Sequence, residues 1–292
     1  MGTSSSHSGP GDGPGLLPSW ATGDADVGVT PDGGGEAGDT GAAEGDSAQG
    51  NDTQADAGQN VVLAPPRNWQ SAKSGMTRYA KSGGDTGRLR SAGAGYVRAK
   101  GGSRRATSSA TSGRSTSRNI GNFLASAVQS GIRQAFESVG LRDTVGQSSE
   151  RVLARLVDVL APVGATKEEA AARSATIEAL EYLYEEVIGE EGDLAALEQM
   201  DRQTIEATIK RSVSGYIYNR WLDELGLSIE KGAVTEVAAI QLERDVKKYV
   251  ESCVSLELAE KSPLDIDWAG REGRQIIDRV YGDAYALLEA GS

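Results

Sequence analysis

One cysteine, one histidine and two phenylalanines are all that this 292-residue chain carries of those three types, and the first two scarcities each remove a class of protein. A single thiol, Cys253, closes no internal disulfide, so a disulfide-stapled secreted scaffold is excluded and a reducing cytoplasm is the expected compartment. One Cys and one His cannot supply the ligands of a structural zinc site. Nucleophilic catalysis of the Ser/His or Cys/His kind needs an imidazole held by a scaffold, and the only one, His7, lies in a Gly/Ser-rich tip. Walker, dinucleotide-binding and HExxH signatures are missing as well. No run approaches the roughly 20 apolar residues of a membrane span, and the beginning of the chain has neither the basic nor the apolar region of a signal peptide. The expectation is a soluble, non-enzymatic protein with no catalytic residue, metal or cofactor and no membrane partner.

Charge is plentiful but unevenly placed. The formal net charge of -12 combines ten acids and no Lys or Arg in residues 1–60, twelve Lys/Arg against the single Asp85 in 61–119, and an acidic excess in the remainder. Length and asymmetry together predict one folded domain behind a long bipartite arm. The expected divisions are a tip (1–20), an acidic spacer (21–64), a basic Gly/Ser-rich segment with two short helices (65–118) and a helical domain (119–292).

The spacer is Gly, Asp, Ala, Ser, Thr and Gln with almost no large side chain, too little apolar surface to offset backbone ordering of roughly 1 to 2 kcal/mol per residue. It reads as disordered. In the tip, Leu16, Leu17, Pro18 and Trp20 form a docking peptide for a partner, because Leu and Trp anchors dominate small recognition surfaces; a chance apolar cluster is the plainer reading.

In the basic segment Trp69, Ala72, Met76, Tyr79 and Ala80 recur at helical spacing before Gly83 and Gly84. Asp85 caps a second short helix with Leu89, Ala92, Tyr96 and Val97, ended by Gly101 and Gly102. Helices this short need a surface to fold against: the acidic C-terminal domain, a partner protein or a nucleic acid. Arg78 and Lys81 beside Tyr79, and Arg98 and Lys100 after Tyr96, suit bases and phosphates, and Gly101-Gly102-Ser103-Arg104-Arg105 offers backbone N–H groups to an anion. No complete nucleic-acid motif accompanies them, and internal charge complementation explains the same pattern.

From Asn119 onward the periodicity is helical and no strand alternates convincingly. Expected helices run over about 120–138, 149–161, from a capping box at Thr166 and Glu169, from Asp193, from Asp201 to Gly226, over about 228–260, and over about 267–290. The fold class is therefore all-α, a bundle of about six or seven helices behind a long, largely disordered arm. The 228–260 helix, with Ala239, Leu242, Val246, Tyr249, Cys253 and Leu256, is expected to form the central seam, which makes Cys253 a buried apolar residue rather than a reactive thiol. Glu185-Glu186 and Glu190-Glu191 read as a solvated face.

Met1-Gly2 carries the most informative chemistry. Removal of Met leaves the unhindered α-amine of Gly2, which at a reference pKa of about 7.7 to 8.0 is partly neutral and nucleophilic, unlike a lysine near 10.4. Gly2-Thr3-Ser4-Ser5-Ser6 also fits the myristoylation pattern, but one acyl chain beside acidic residues anchors poorly.

Met1-Gly2-Thr3-Ser4, Gly9-Pro10-Gly11, Leu16-Leu17-Pro18 and Trp20, Asn68-Trp69 to Tyr79-Ala80-Lys81-Ser82-Gly83-Gly84, Gly95-Tyr96-Val97-Arg98 and Gly101-Gly102-Ser103-Arg104-Arg105-Ala106 together resemble the QatB family of the bacterial Qat anti-phage defence system. Ser19 departs from the proline expected there, and residues 21–64 match nothing in particular. The resemblance implies work beside an ATPase (QatA), a QueC-like enzyme (QatC) and a TatD-like nuclease (QatD). QueC enzymes activate and amidate the carboxylate of a 7-deazaguanine, so a protein amine, that of Gly2, becomes the implied acceptor. The rival reading is an adaptor that brings the nuclease to phage DNA through Arg78, Lys81, Arg98, Arg104 and Arg105.

Overall fold

The computed structural model describes residues 66–291 apart from 143, 145, 146, 162, 234, 257, 259 and 260. Among them ten α-helices and no strand are present, the all-α class that the periodicity predicts. The tip and the acidic spacer lie outside the described residues.

Helix α1 (Pro66–Lys81) stops at Gly83 and Gly84, both at positive φ, where a glycine avoids the Cβ clash of the left-handed region. Asp85 then caps α2 (Thr86–Ala99) by accepting the Arg88 amide at 2.8 Å. Short α3 (Ser103–Ser109) leads into α4 (Thr111–Ser130), which begins nine residues earlier than the periodicity suggests. The expected 120–138 helix is also broken: Gly131 turns the chain at φ 88°, and α5 (Ile132–Ser138) restarts with the Ile132 amide held by Glu198 at 2.8 Å. Helix α6 (Ser149–Leu160) follows, and the capping box of Thr166 and Glu169 opens α7 (Lys167–Leu183) with both reciprocal bonds in place. A π-turn (Tyr184–Ile188) and a 3-10 turn (Leu194–Gln199), capped by Asp193, carry the chain to α8. Glu185, Glu186, Glu190 and Glu191 are all exposed there.

Helix α8 (Arg202–Glu230), capped by Asp201, is the axis of the fold, about 44 Å long at 1.5 Å per residue. It passes through Gly226, because a glycine ends a helix only where the chain needs positive φ, and Gly226 is not among those that adopt it. Ile205, Ile209, Val213, Ile217, Trp221, Leu225 and Ile229 bury one continuous stripe, and α1, α4, α7 and α9 all pack around it.

Helix α9 (Glu236–Cys253) is shorter than the expected 228–260 and is not central. It buries Leu242, Val246, Val250 and Cys253 against α8 and α10 (Arg271–Ala290), while Val237 and Ile240 face solvent. Cys253 is 4% exposed, and burial pushes its thiol up, so it is the small core residue expected from its register. In α10 the buried face runs through Ile277, Val280, Tyr281, Ala284, Tyr285 and Leu288, while Leu287 is 40% exposed.

The surface on which the basic segment folds is the chain itself. Helix α1 rests on α2 and α8, and α2 and α3 rest on α10. Met76, Tyr79, Tyr96 and Val97 are fully buried in the same core as the C-terminal helices, and the Tyr79 hydroxyl donates to the Leu242 carbonyl of α9 at 3.1 Å.

Candidate functional site

Gly2, His7, Leu16, Leu17, Pro18 and Trp20 lie outside the described residues. The five basic candidates are all exposed and make no ion pair among the described residues, but they are not one site. Arg78 and Lys81 occupy the last turn of α1, whereas Arg98 ends α2 and Arg104 and Arg105 open α3. Helix α2, about 20 Å long, separates the two groups.

Their aromatic neighbours are spent on the core. The Tyr96 ring stacks on Trp221 at 5.3 Å between centroids, with Trp69 edge-on at 6.4 Å, and Trp221 meets Tyr249 edge-on at 6.4 Å. Neither Tyr79 nor Tyr96 can stack on a base. The glycine-rich cradle is filled as well: the Ser103 amide donates to Glu289 Oε2 of α10 at 3.0 Å, while the Gly101 and Gly102 amides donate to the Arg98 and Val97 carbonyls. The Ser103 amide of this segment thus already holds a carboxylate of the chain itself.

What folding creates instead is a polar cluster where α4, α7, α8 and α10 meet. Glu168, in the first turn of α7, accepts the Ser112 amide at 2.7 Å, the Gly113 amide at 3.4 Å, the Ser112 hydroxyl and the Tyr216 hydroxyl at 2.9 Å. It thus serves the open N-terminus of α4, whose preceding residue, Ala110, has no capping side chain. Burial, then Tyr285 and Glu168, hold the Tyr216 phenol well above its ordinary range, so it stays a neutral donor.

Lys100 follows α2 at the edge of this cluster. Its Nζ stands 5.5 Å from the centroid of the Tyr96 ring. Burial, followed by the Arg220 guanidinium, lowers its amine to about 8, against the opposing pull of Glu224, Glu168 and Asp223. Two carboxylates on α8, Asp223 and Glu224, belong to Arg220, which meets each at 3.7 Å. Sequence shows Tyr96 and Lys100 one helical turn apart, but nothing local announces Arg220.

Two grooves flank α8. One of about 780 Å³ runs between α1 and α8, lined by half-buried Trp69 with Lys73, Thr77, Glu224, Ser228 and Lys231. The other, between α7, α8 and α9, is lined by Glu178, Glu181, Glu185, Arg211, Lys247 and Glu251. Its cations are already engaged: Lys247 meets Glu178 at 2.7 Å and Arg211 lies 4.2 Å over the Tyr182 ring. No group of His, Cys, Asp and Glu able to hold a metal ion occurs among the described residues, and none of their helices is long and apolar enough to cross a membrane.

A family model described as Qat anti-phage system associated protein QatB matches residues 101–288, from the start of α3 through nearly all of α10. The chain belongs to the QatB family. As a QatB-family member it is a component of the Qat anti-phage system. The QatB match leaves out α1 and α2, although both pack in the same core as the matched helices. Of the sequence blocks that carry the family resemblance, only Gly101 to Ala106 falls inside it. Neither a curated protein nor a solved structure matches the chain.

Proposed function

We propose that this QatB-family protein is a non-enzymatic acceptor in the bacterial cytoplasm, whose Gly2 α-amine is joined to a 7-deazapurine by the QueC-like partner QatC. Family membership together with the Met1-Gly2 tip carries the reading. In the reaction the amine nitrogen attacks the activated carboxyl carbon, an amide bond forms, the activating group leaves, and the amine gives up a proton. Gly2 suits that role because its α-amine is substantially neutral near pH 7.5 and carries no side chain to hinder approach. Leu16, Leu17, Pro18 and Trp20 hold the tip to the partner, residues 21–64 act as a tether, and the helical body docks the ATPase QatA and the nuclease QatD.

The test is mass spectrometry of the intact protein and its N-terminal peptide, from cells with and without the QueC-like gene. An added mass on Gly2 that requires this gene is the expected result. Gly2→Pro still permits removal of Met1 but presents a hindered secondary amine, so it loses both the added mass and phage protection. Full protection by that variant, or an unmodified Gly2 throughout infection, refutes the reading.

A further inference from the structure

Helices α1 and α8 pack together but leave the furrow of about 780 Å³ between them open. Its walls are made of side chains that do not close over it: Lys73, Ser74 and Thr77 on α1, and Glu224, Ser228 and Lys231 on α8. A volume of this order takes a ligand of several side chains. Apolar surface is left at its edges. Trp69 lies edge-on to Tyr96 at 6.4 Å and is only half-buried, and Leu227, one helical turn from both Glu224 and Lys231, is 69% exposed. The furrow also holds two uncommitted cations, since exposed Lys73 and Lys231 form no ion pair among the described residues.

The position and charge of the furrow indicate what covers it. Helix α1 begins at Pro66, three residues before Trp69, so residues 1–65 join the body at the Trp69 end. Residues 1–60 carry ten acids and no Lys or Arg, which suits a furrow with two free ammonium groups. Within them Leu16, Leu17, Pro18 and Trp20 are the one cluster of large apolar side chains, and aromatic-walled grooves take Pro, Leu and Trp anchors of this kind. The 45 residues between Trp20 and Pro66 reach any point of the body at up to about 3.3 Å each.

We infer that the furrow between α1 and α8 is the seat of the chain's own Leu16–Trp20 segment. Tethered in this way, the segment meets the furrow at an effective concentration on the order of 1 mM, so an affinity as weak as about 0.1 mM seats about nine chains in ten. Seating covers Trp69 and Leu227. A partner that takes the N-terminal tip by the same anchors then competes with the body for them.

The experiment labels the full chain with 5-fluorotryptophan and records its fluorine NMR spectrum, using protein made without the QueC-like gene so that no conjugation enters the result. The four tryptophans give one resonance each, and Trp20→Phe and Trp69→Phe assign the two that matter. The Trp20 resonance should be displaced from its position in a free peptide of residues 10–24, and the Trp69 resonance should move when Leu16→Ser and Leu17→Ser are combined. Ser74 is exposed and lines the furrow, so Ser74→Arg fills it and should return Trp20 to the free-peptide position. Unmoved resonances of fully buried Trp221 and Trp268 show that the body is intact in each variant. The peptide added to the Leu16→Ser, Leu17→Ser chain should bind with a Kd on the order of 0.1 mM, and at least about ten-fold more weakly when Ser74→Arg is also present. A Trp20 resonance already at the free-peptide position in the parent chain, or a Trp69 resonance indifferent to the anchors, overturns the inference. A displacement that vanishes on dilution overturns it too, because the occupant is then the tip of a second copy.

Discussion

Replacing Glu168 by Ala tests whether one carboxylate holds α4 and α7 together. The substitution strips the Ser112 and Gly113 amides of their acceptor and leaves the buried Tyr216 hydroxyl without one. Losing a helix N-terminal acceptor costs about 1 to 2 kcal/mol, and an unpaired buried hydroxyl about 1 to 3 kcal/mol. The expected loss is therefore about 2 to 5 kcal/mol, read as a lower urea midpoint at constant slope and a melting temperature lower by roughly 5 to 15 °C. Glu168→Gln keeps an oxygen in place and should cost only about 1 kcal/mol, the charge assistance. Tyr216→Phe removes the donor, so combining it with Glu168→Ala should cost less than the two singles together by about 1 to 2 kcal/mol, because the orphaned hydroxyl no longer exists. A Glu168→Ala loss below about 1 kcal/mol, or strict additivity with Tyr216→Phe, would refute this account.

Gly121→Ala places a methyl group 2.7 Å from the Trp268 ring, which is fixed by its Nε1–H bond to the Pro263 carbonyl at 2.8 Å; a loss of about 1 to 3 kcal/mol with a changed tryptophan emission is expected. Hydrogen bonds from the Thr166 side chain and the Thr204 amide hold the Glu169 and Asp201 carboxyls below the usual range. Their contribution to stability is complete above the unfolded-state values of about 4 and lost as pH falls through the lower folded-state values, so the urea midpoint should drop on acidification. Asp201→Asn, still a good cap, should make that drop shallower. If the adaptor reading holds, changing Arg78, Lys81, Arg98, Arg104 and Arg105 to Ala should flatten the salt dependence of DNA binding, by up to about 0.9 log units for each phosphate no longer neutralised; absence of salt-sensitive binding in the parent protein removes that reading.

Chemistry confined to a few neighbouring residues was legible in the sequence. Asp85, Asp193, Asp201 and the Thr166–Glu169 pair cap the helices expected of them. Long-range demands were not. The first turns of α4, Thr111 to Ser117, fall in the basic Gly/Ser-rich segment outside every expected helix, because Ser, Thr and Gly are poor helix formers. Yet Gly113 and Gly121 are what that helix needs, since a Cβ at either position would lie within 2.7 Å of the Tyr216 or Trp268 ring. Close packing thus overrides propensity. Cations beside Tyr79 and Tyr96 suggested a binding face, and the structure divides the pattern: the cations face solvent and the rings enter the core. The Ser103 amide and Glu289 meet only because α3 packs against an element far along the chain.

That closure has a consequence for the order of assembly. The seat of α2 and α3 is α10, and the bond from the Ser103 amide to Glu289 spans 186 residues of sequence. A nascent chain emerging from the ribosome can therefore pair α1 with α2 early, but it cannot bury the far side of that pair until α10 has been synthesised. Until then Tyr96, Val97 and Ala106 have only part of their final packing, and this part of the body folds late, as expected for contacts of high sequence separation. Cells that make this protein pass through a stage in which its most basic helices are translated and unsheltered, while the element that covers them is still to come.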